Sequence, residues 1–168
     1  MSDGRTDGPA RPTHLDERGA ARMVDVTGKD ETRRTAVAVG ALRMRPATLT
    51  ALVEDRLPKG EALAVARVAG IQAGKRTDQL IPLCHALPGA SLTVALDPDP
   101  NLPGVRVRAE AHYHGRTGVE MEALTAAAVA LLTLYDMCKA LDRGMVLEEV
   151  RLVRKEGGRS GIWEAGDG

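Results

Sequence analysis

The chain has 168 residues, the size of one domain, and its 23 Lys and Arg balance its 23 Asp and Glu. That balance excludes the strongly basic surface of a general nucleic-acid binder. Phe is absent and Trp163, Tyr113 and Tyr135 are the only aromatics, so stacking platforms for single strands are missing and the core must come from Ala, Val, Leu, Ile and Met.

Residues 1–12 are polar and rich in Gly and Pro, and read as a disordered tail. Thr35 to Met44 alternates at Val37 and Val39 and predicts a strand. Pro46 suits the first turn of a helix reaching about Asp55. After a break at Lys59-Gly60, a second helix is predicted from Glu61 to about Leu80; Pro82 ends the helical register. Ser91 to Leu96 alternates at Leu92, Val94 and Leu96, and a turn rich in Asp and Pro leads into Val105 to His114. There Val105, Val107, Ala109, Ala111 and Tyr113 face one way; Arg106, Arg108, Glu110, His112 and His114 face the other. A long helix is expected from Val119 to about Leu141, a last strand from Glu149 to Lys155, and a flexible tail over residues 158–168.

With the first helical region counted once, the order is β-α-β-β-α-β. That predicts an α+β domain over residues 13–157, with a ferredoxin-like four-stranded antiparallel sheet and helices on one face. The charged row of the third strand would lie on the open face, in water or under another subunit. The longest uncharged apolar run, Ala123 to Tyr135, is shorter than the ~20 residues a membrane span needs. No basic-then-apolar leader opens the chain, and two cysteines make no disulfide framework, so a reduced, cytoplasmic location is expected.

Three segments place polar residues where a plain core needs none. Gly74-Lys75-Arg76-Thr77 is not a phosphate loop: Gly70 is one residue too close, and Arg76 stands where Ser or Thr should follow the lysine. It reads either as a solvated basic patch or as a cationic wall for a polyanion. Leu83-Cys84-His85 raises a metal site, a nucleophile or a ligand contact. Tetrahedral zinc needs about four ligands, and Cys138, His112 and His114 lack ligand spacing, so no metal is expected. The third segment is the long helix, with Glu120 and Glu122 near its start and Asp136 and Lys139 near its end. Asp136 and Lys139 share a face, as a surface ion pair or as an acid/base pair whose members perturb each other. Glu122 and Asp136 are 14 residues apart, about 21 Å along a helix axis. They cannot both reach one small reacting ring within one chain, so a site using both draws on two subunits.

Several segments in order closely resemble the cyclic pyranopterin monophosphate synthase family. They are Thr13-His14-Leu15, Met23-Val24-Asp25-Val26, Lys59-Gly60, Ala69 to Ala73, Lys75-Arg76-Thr77, Leu80 to His85, Gly115 to Thr125, Tyr135 to Ala140 and Gly144-Met145-Val146. The resemblance runs from about residue 13 to about residue 161. It implies conversion of 3′,8-cyclo-7,8-dihydroguanosine 5′-triphosphate into cyclic pyranopterin monophosphate with release of diphosphate, in molybdenum cofactor biosynthesis. It implies a homohexamer built as a trimer of dimers, active sites at subunit interfaces, and no required cofactor beyond any Mg2+ accompanying the triphosphate. By the resemblance Asp136, Lys59 and Lys139 are catalytic. Leu83, Cys84, His85, Met121, Glu122 and Glu120 bind substrate, and Lys75, Arg76 and Lys155 contact phosphates. Ala86 and Arg159 depart from the family's usual Pro and Lys. The rival readings are a nucleotide sensor on the same fold, which would bind without turnover, and a metal-binding module using Cys84, His85 and Cys138.

Overall fold

A computed structural model describes Met23 and residues 25–166. The N-terminal tail expected over residues 1–12 and the Thr13-His14-Leu15 segment lie outside the described residues. The elements are β1 (Thr32–Arg43), α1 (Pro46–Val53), α2 (Ala62–Gly74), α3 (Thr77–Leu80), β2 (Ser91–Asp99), β3 (Gly104–Gly115), α4 (Glu120–Cys138), β4 (Val146–Glu156) and β5 (Ile162–Glu164). They form one antiparallel sheet in the order β2-β3-β1-β4-β5. The class is α+β, as expected, but the sheet has five strands rather than four. The extra strand arises in the segment read as a tail. Gly157, Gly158 and Gly161 all take positive φ, which turns the chain back so that Lys155 pairs with Trp163.

Alternation decides the faces. In β1, Ala36, Ala38 and Leu42 are fully buried and join the main core, opposite Ala111, Ala109 and Val105 of β3. Over them lies α4, whose Ala123, Ala126, Ala127, Ala130, Leu131 and Leu134 are all fully buried. Truncating Leu131 or Leu134 would cost about 2–5 kcal/mol. By length and composition α4 could cross a membrane, yet half of its apolar window is buried inside the domain, against the sheet and α2. With no Phe to fill space, the two helices approach closely. A Cβ at Gly70 would come within 2.7 Å of the Ala126 carbonyl oxygen, and one at Gly74 within 3.0 Å of that of Glu122. On the other sheet face, Arg33, Thr35, Arg108, Glu110, His112, Arg154 and Glu156 line a shallow groove, so the charged row of β3 does face outward.

One predicted helix is two. The run from Glu61 to Leu80 breaks between α2 and α3 at Lys75-Arg76, where Arg76 leaves helical geometry at φ −120°. The buried Thr77 hydroxyl donates to the Gly74 carbonyl at 2.9 Å, giving α2's last carbonyl a partner. At the far end of α4, buried Asp142 does comparable work for α1. Its Oδ2 accepts the Arg45 N–H at 2.9 Å and the Thr48 hydroxyl at 3.4 Å. A helix starting Arg45-Pro46 lacks a capping side chain of its own, and Asp142 supplies one from across the fold.

Candidate active site

The helix-facing row of β1 does not end with the core. Continuing by twos from Ala38 and Ala36, it reaches Arg34 and Thr32, which project past the start of α4. Lys155, paired with Ala36, reaches the same place from β4. The first turn of α4, the loop after α3, and the β4–β5 turn close a cavity of about 750 Å³. Leu83, Cys84, His85, Glu120, Met121 and Glu122 line it, with cations Lys29, Arg34, Arg116, Lys155 and Arg159 around them. That is room for a small heterocycle with phosphates.

The carboxylates here differ. Glu120 Oε1 holds Lys155 Nζ at 2.7 Å in a part-buried ion pair. Glu122 is only 5% exposed. Its pKa is raised to about 6: burial is the largest cause, a backbone hydrogen bond opposes it, and the charges of Glu120 and Asp78 add to the rise. The same burial, with the charges of Glu122 and Asp78, raises the Cys84 thiol above its ordinary value. A thiol kept protonated is a poor nucleophile, which argues against a Cys84–His85 nucleophilic pair.

A second cluster forms at the other end of α4. Lys59 sits in the turn between α1 and α2, next to Gly60 at φ +85°, and reaches Asp136. Lys59 Nζ lies 2.7 Å from Asp136 Oδ2 and donates to the Asp136 carbonyl at 3.1 Å; Lys139 Nζ lies 2.6 Å from Oδ1. Hydrogen bonds from Lys139 and then Lys59 hold the Asp136 carboxyl at about 2. Asp136 is therefore an ionised clamp fixing two ammonium groups, in a cluster about half exposed.

A sequence model of the MoaC family matches residues 23–158. The chain belongs to the MoaC family. A protein of Brucella ovis named cyclic pyranopterin monophosphate synthase is 57% identical over 155 residues, covering 92% of this chain and 94% of the relative. One of Brucella canis with the same name is 56% identical over the same span.

In this MoaC family member the residues singled out in sequence fall into two groups. Leu83, Cys84, His85, Glu120, Met121, Glu122 and Lys155 meet in the cavity. Lys59, Asp136 and Lys139 meet at the opposite end of α4. Lys75 and Arg76 join neither; they are exposed at the break between α2 and α3. Cys138 is fully buried and does not line the cavity with Cys84, and its thiol is pushed up to about 11 by burial. Among the described residues no three His, Cys, Asp or Glu side chains are grouped to hold a metal ion.

Sequence reasoning missed Lys29, Arg34 and Arg116, and the part that Gly157 to Ser160 play in the wall. One signal was there for Arg34: a charge in register with Ala36, Ala38, Gly40 and Leu42. Nothing local marked the β4–β5 turn, because its glycines look like those of any solvated tail.

Proposed function

We propose that this protein converts 3′,8-cyclo-7,8-dihydroguanosine 5′-triphosphate into cyclic pyranopterin monophosphate, releasing diphosphate, as a lyase of molybdenum cofactor biosynthesis. The observation that carries the reading is the pairing of a cation-rimmed cavity with a Lys–Asp–Lys cluster at the opposite end of one helix, in a chain of the MoaC family. The relatives named for this activity support it.

Leu83 to His85, with Met121 and Glu122, hold the heterocycle. Arg34, Lys155 and Arg116 take the phosphates, in preference to Lys75 and Arg76, which stand outside the cavity. Mg2+ travels with the triphosphate as part of the substrate; the protein needs no cofactor of its own. Lys59 and Lys139 neutralise charge that develops at the reacting centre and move protons there, while Asp136 holds them in place. Glu122, with a pKa near 6, can exchange a proton close to neutral pH. The two clusters cannot meet within a chain, so the working site joins the cavity of one subunit to the lysine cluster of another. We read the assembly as a homohexamer, a trimer of dimers, in the cytoplasm, with neither nucleic acid nor membrane as partner. The four longer strands follow the ferredoxin-like order, with β5 added at the edge. Incubating purified protein with the cyclic nucleotide triphosphate and separating the products by chromatography tests the reading. Formation of the pterin product and diphosphate is expected; binding without turnover would favour a nucleotide sensor instead.

A further inference from the structure

Two glycines of the cavity wall occupy an unusual position. At Gly118 a Cβ would fall on the carboxylate of Glu120, 2.6 Å from its Cδ. At Gly158 it would fall on the guanidinium of Arg34, 2.9 Å from Cζ and 3.2 Å from Nη2. In both cases the space a side chain would need is filled by the charged end of a cavity residue. Among the described residues nothing lies within 4 Å of such a Cβ at Gly60, Gly89 or Gly161, so the crowding is not a general property of the turns. Gly157, beside Gly158, differs in kind: its Cβ would meet the backbone of Arg33.

The difference decides what a substitution does. Backbone cannot yield, so a side chain at Gly157 would disturb the sheet. A carboxylate or a guanidinium can swing away, so a side chain at Gly118 or Gly158 displaces charge and leaves the fold standing. Each head has a defined task in its present place. The Glu120 carboxylate holds Lys155 at 2.7 Å. Arg34 donates through Nε to the Gly115 carbonyl at 3.2 Å, which fixes the plane of its guanidinium. The Gly158 N–H is tied to Thr32 Oγ1 at 3.2 Å, two residues before Arg34 on the same face of β1.

We propose that Gly118 and Gly158 are positioning residues. Each reserves the volume in which one charged head of the cavity is seated, and together they set where the substrate's phosphates find positive charge. The inference rests on the function proposed above for the identity of that substrate, but not for the geometry.

Two double-mutant cycles test it, Gly118→Ala with Glu120→Ala and Gly158→Ala with Arg34→Ala. Each glycine substitution alone is expected to raise KM about tenfold and to change kcat less than about twofold, as lost placement of a binding group would. In the background that lacks the charged head, the same substitution should change KM by less than about twofold, because nothing remains to displace. An equal effect in both backgrounds would mean a merely structural role and would overturn the proposal. Gly158 sits at φ +71°, so alanine there also strains the backbone, but that part is common to both backgrounds and cancels. Gly118 has no positive φ, and its cycle decides the matter should Gly158→Ala fold poorly. Crystal structures of the two glycine variants give a readout independent of activity. They should show Glu120 parted from Lys155 in the first and the Arg34 guanidinium displaced in the second; unmoved heads overturn the proposal. Wild-type protein that fails to turn over the substrate would sink the functional reading, and the structures would still judge this one.

Discussion

Glu122 and Asp136 sit near opposite ends of α4, and their environments push them in opposite directions. Glu122 is buried, with no cation bonded to it among the described residues, and its pKa rises to about 6. Asp136 is about half exposed between two lysines, and its pKa falls to about 2. Asp142 completes the comparison. It is as buried as Glu122, at 5% exposed, yet its pKa is lowered, first by the hydrogen bond from the Arg45 N–H. Burial dominates at Glu122, whereas at Asp136 and Asp142 the donors aimed at the carboxylate outweigh it. One end of the helix carries an acid that can hold a proton, and the other carries an anion that organises cations.

The sharpest way to break the comparison is at the lysine end. Lys59→Ala, Asp136→Asn and Lys139→Ala should each lower turnover by at least about 100-fold, the usual cost of losing a group that moves protons or stabilises charge. Circular dichroism and gel filtration should stay unchanged, since all three side chains are about half exposed. Near-normal turnover from one of them would remove that residue from the catalytic set.

Joining the two ends comes next. Glu122→Ala and Asp136→Asn proteins, each inactive, should regain about a quarter of wild-type activity when mixed one to one under subunit exchange. Half of randomly paired symmetric dimers are mixed, and each mixed dimer rebuilds one of its two sites. No recovery with exchange verified by mass spectrometry would mean that the clusters do not share a site.

Titration separates the carboxylates by sign. Folded Glu122 binds its proton more tightly than the unfolded chain does, with a pKa of about 6 against 4.5. Its contribution is thus most favourable below pH 4.5 and declines as pH rises through 6, by up to about 2 kcal/mol. Glu122→Gln should remove this pH dependence in denaturant unfolding and be the more stable protein at pH 8. Asp136 behaves oppositely, adding stability above its unfolded value of 3.8 that is lost as pH falls towards 2. Asp136→Asn should flatten the acid limb only. A Glu122→Gln curve parallel to wild type between pH 4.5 and 6 would refute the assignment.

The smallest effect is at the third carboxylate. Asp142→Ala removes the remote cap of α1 and should cost about 1–2 kcal/mol of unfolding free energy with little change in turnover per folded molecule. An equally large fall in kcat would tie Asp142 to the catalytic cluster.

Local patterns carried much of the architecture. The alternation from Val105 to Ala111 is a strand of period two with an unmistakable core side, legible from the residue order alone. So is α4, whose near-continuous Ala and Leu between charged ends mark a long apolar helix. The separation of Glu122 from Asp136 follows from helix rise alone, and the two clusters do fall apart as that arithmetic requires. What stayed hidden depended on partners distant in sequence. The break at Lys75-Arg76 looks helical until Thr77 is buried and bonded to Gly74. Arg34 looks like an exposed strand end until Gly158, more than a hundred residues later, gives its guanidinium a seat. The family resemblance put Lys59 in one catalytic set with Asp136, but nothing in its own segment distinguished a contact with Asp136 from solvent. The sequence by itself determined which residues repeat at strand or helix period, because period and propensity act over a few neighbours. Only the tertiary structure decided which charges are buried, which are paired and which face a common cavity, because those depend on contacts that close across the whole chain.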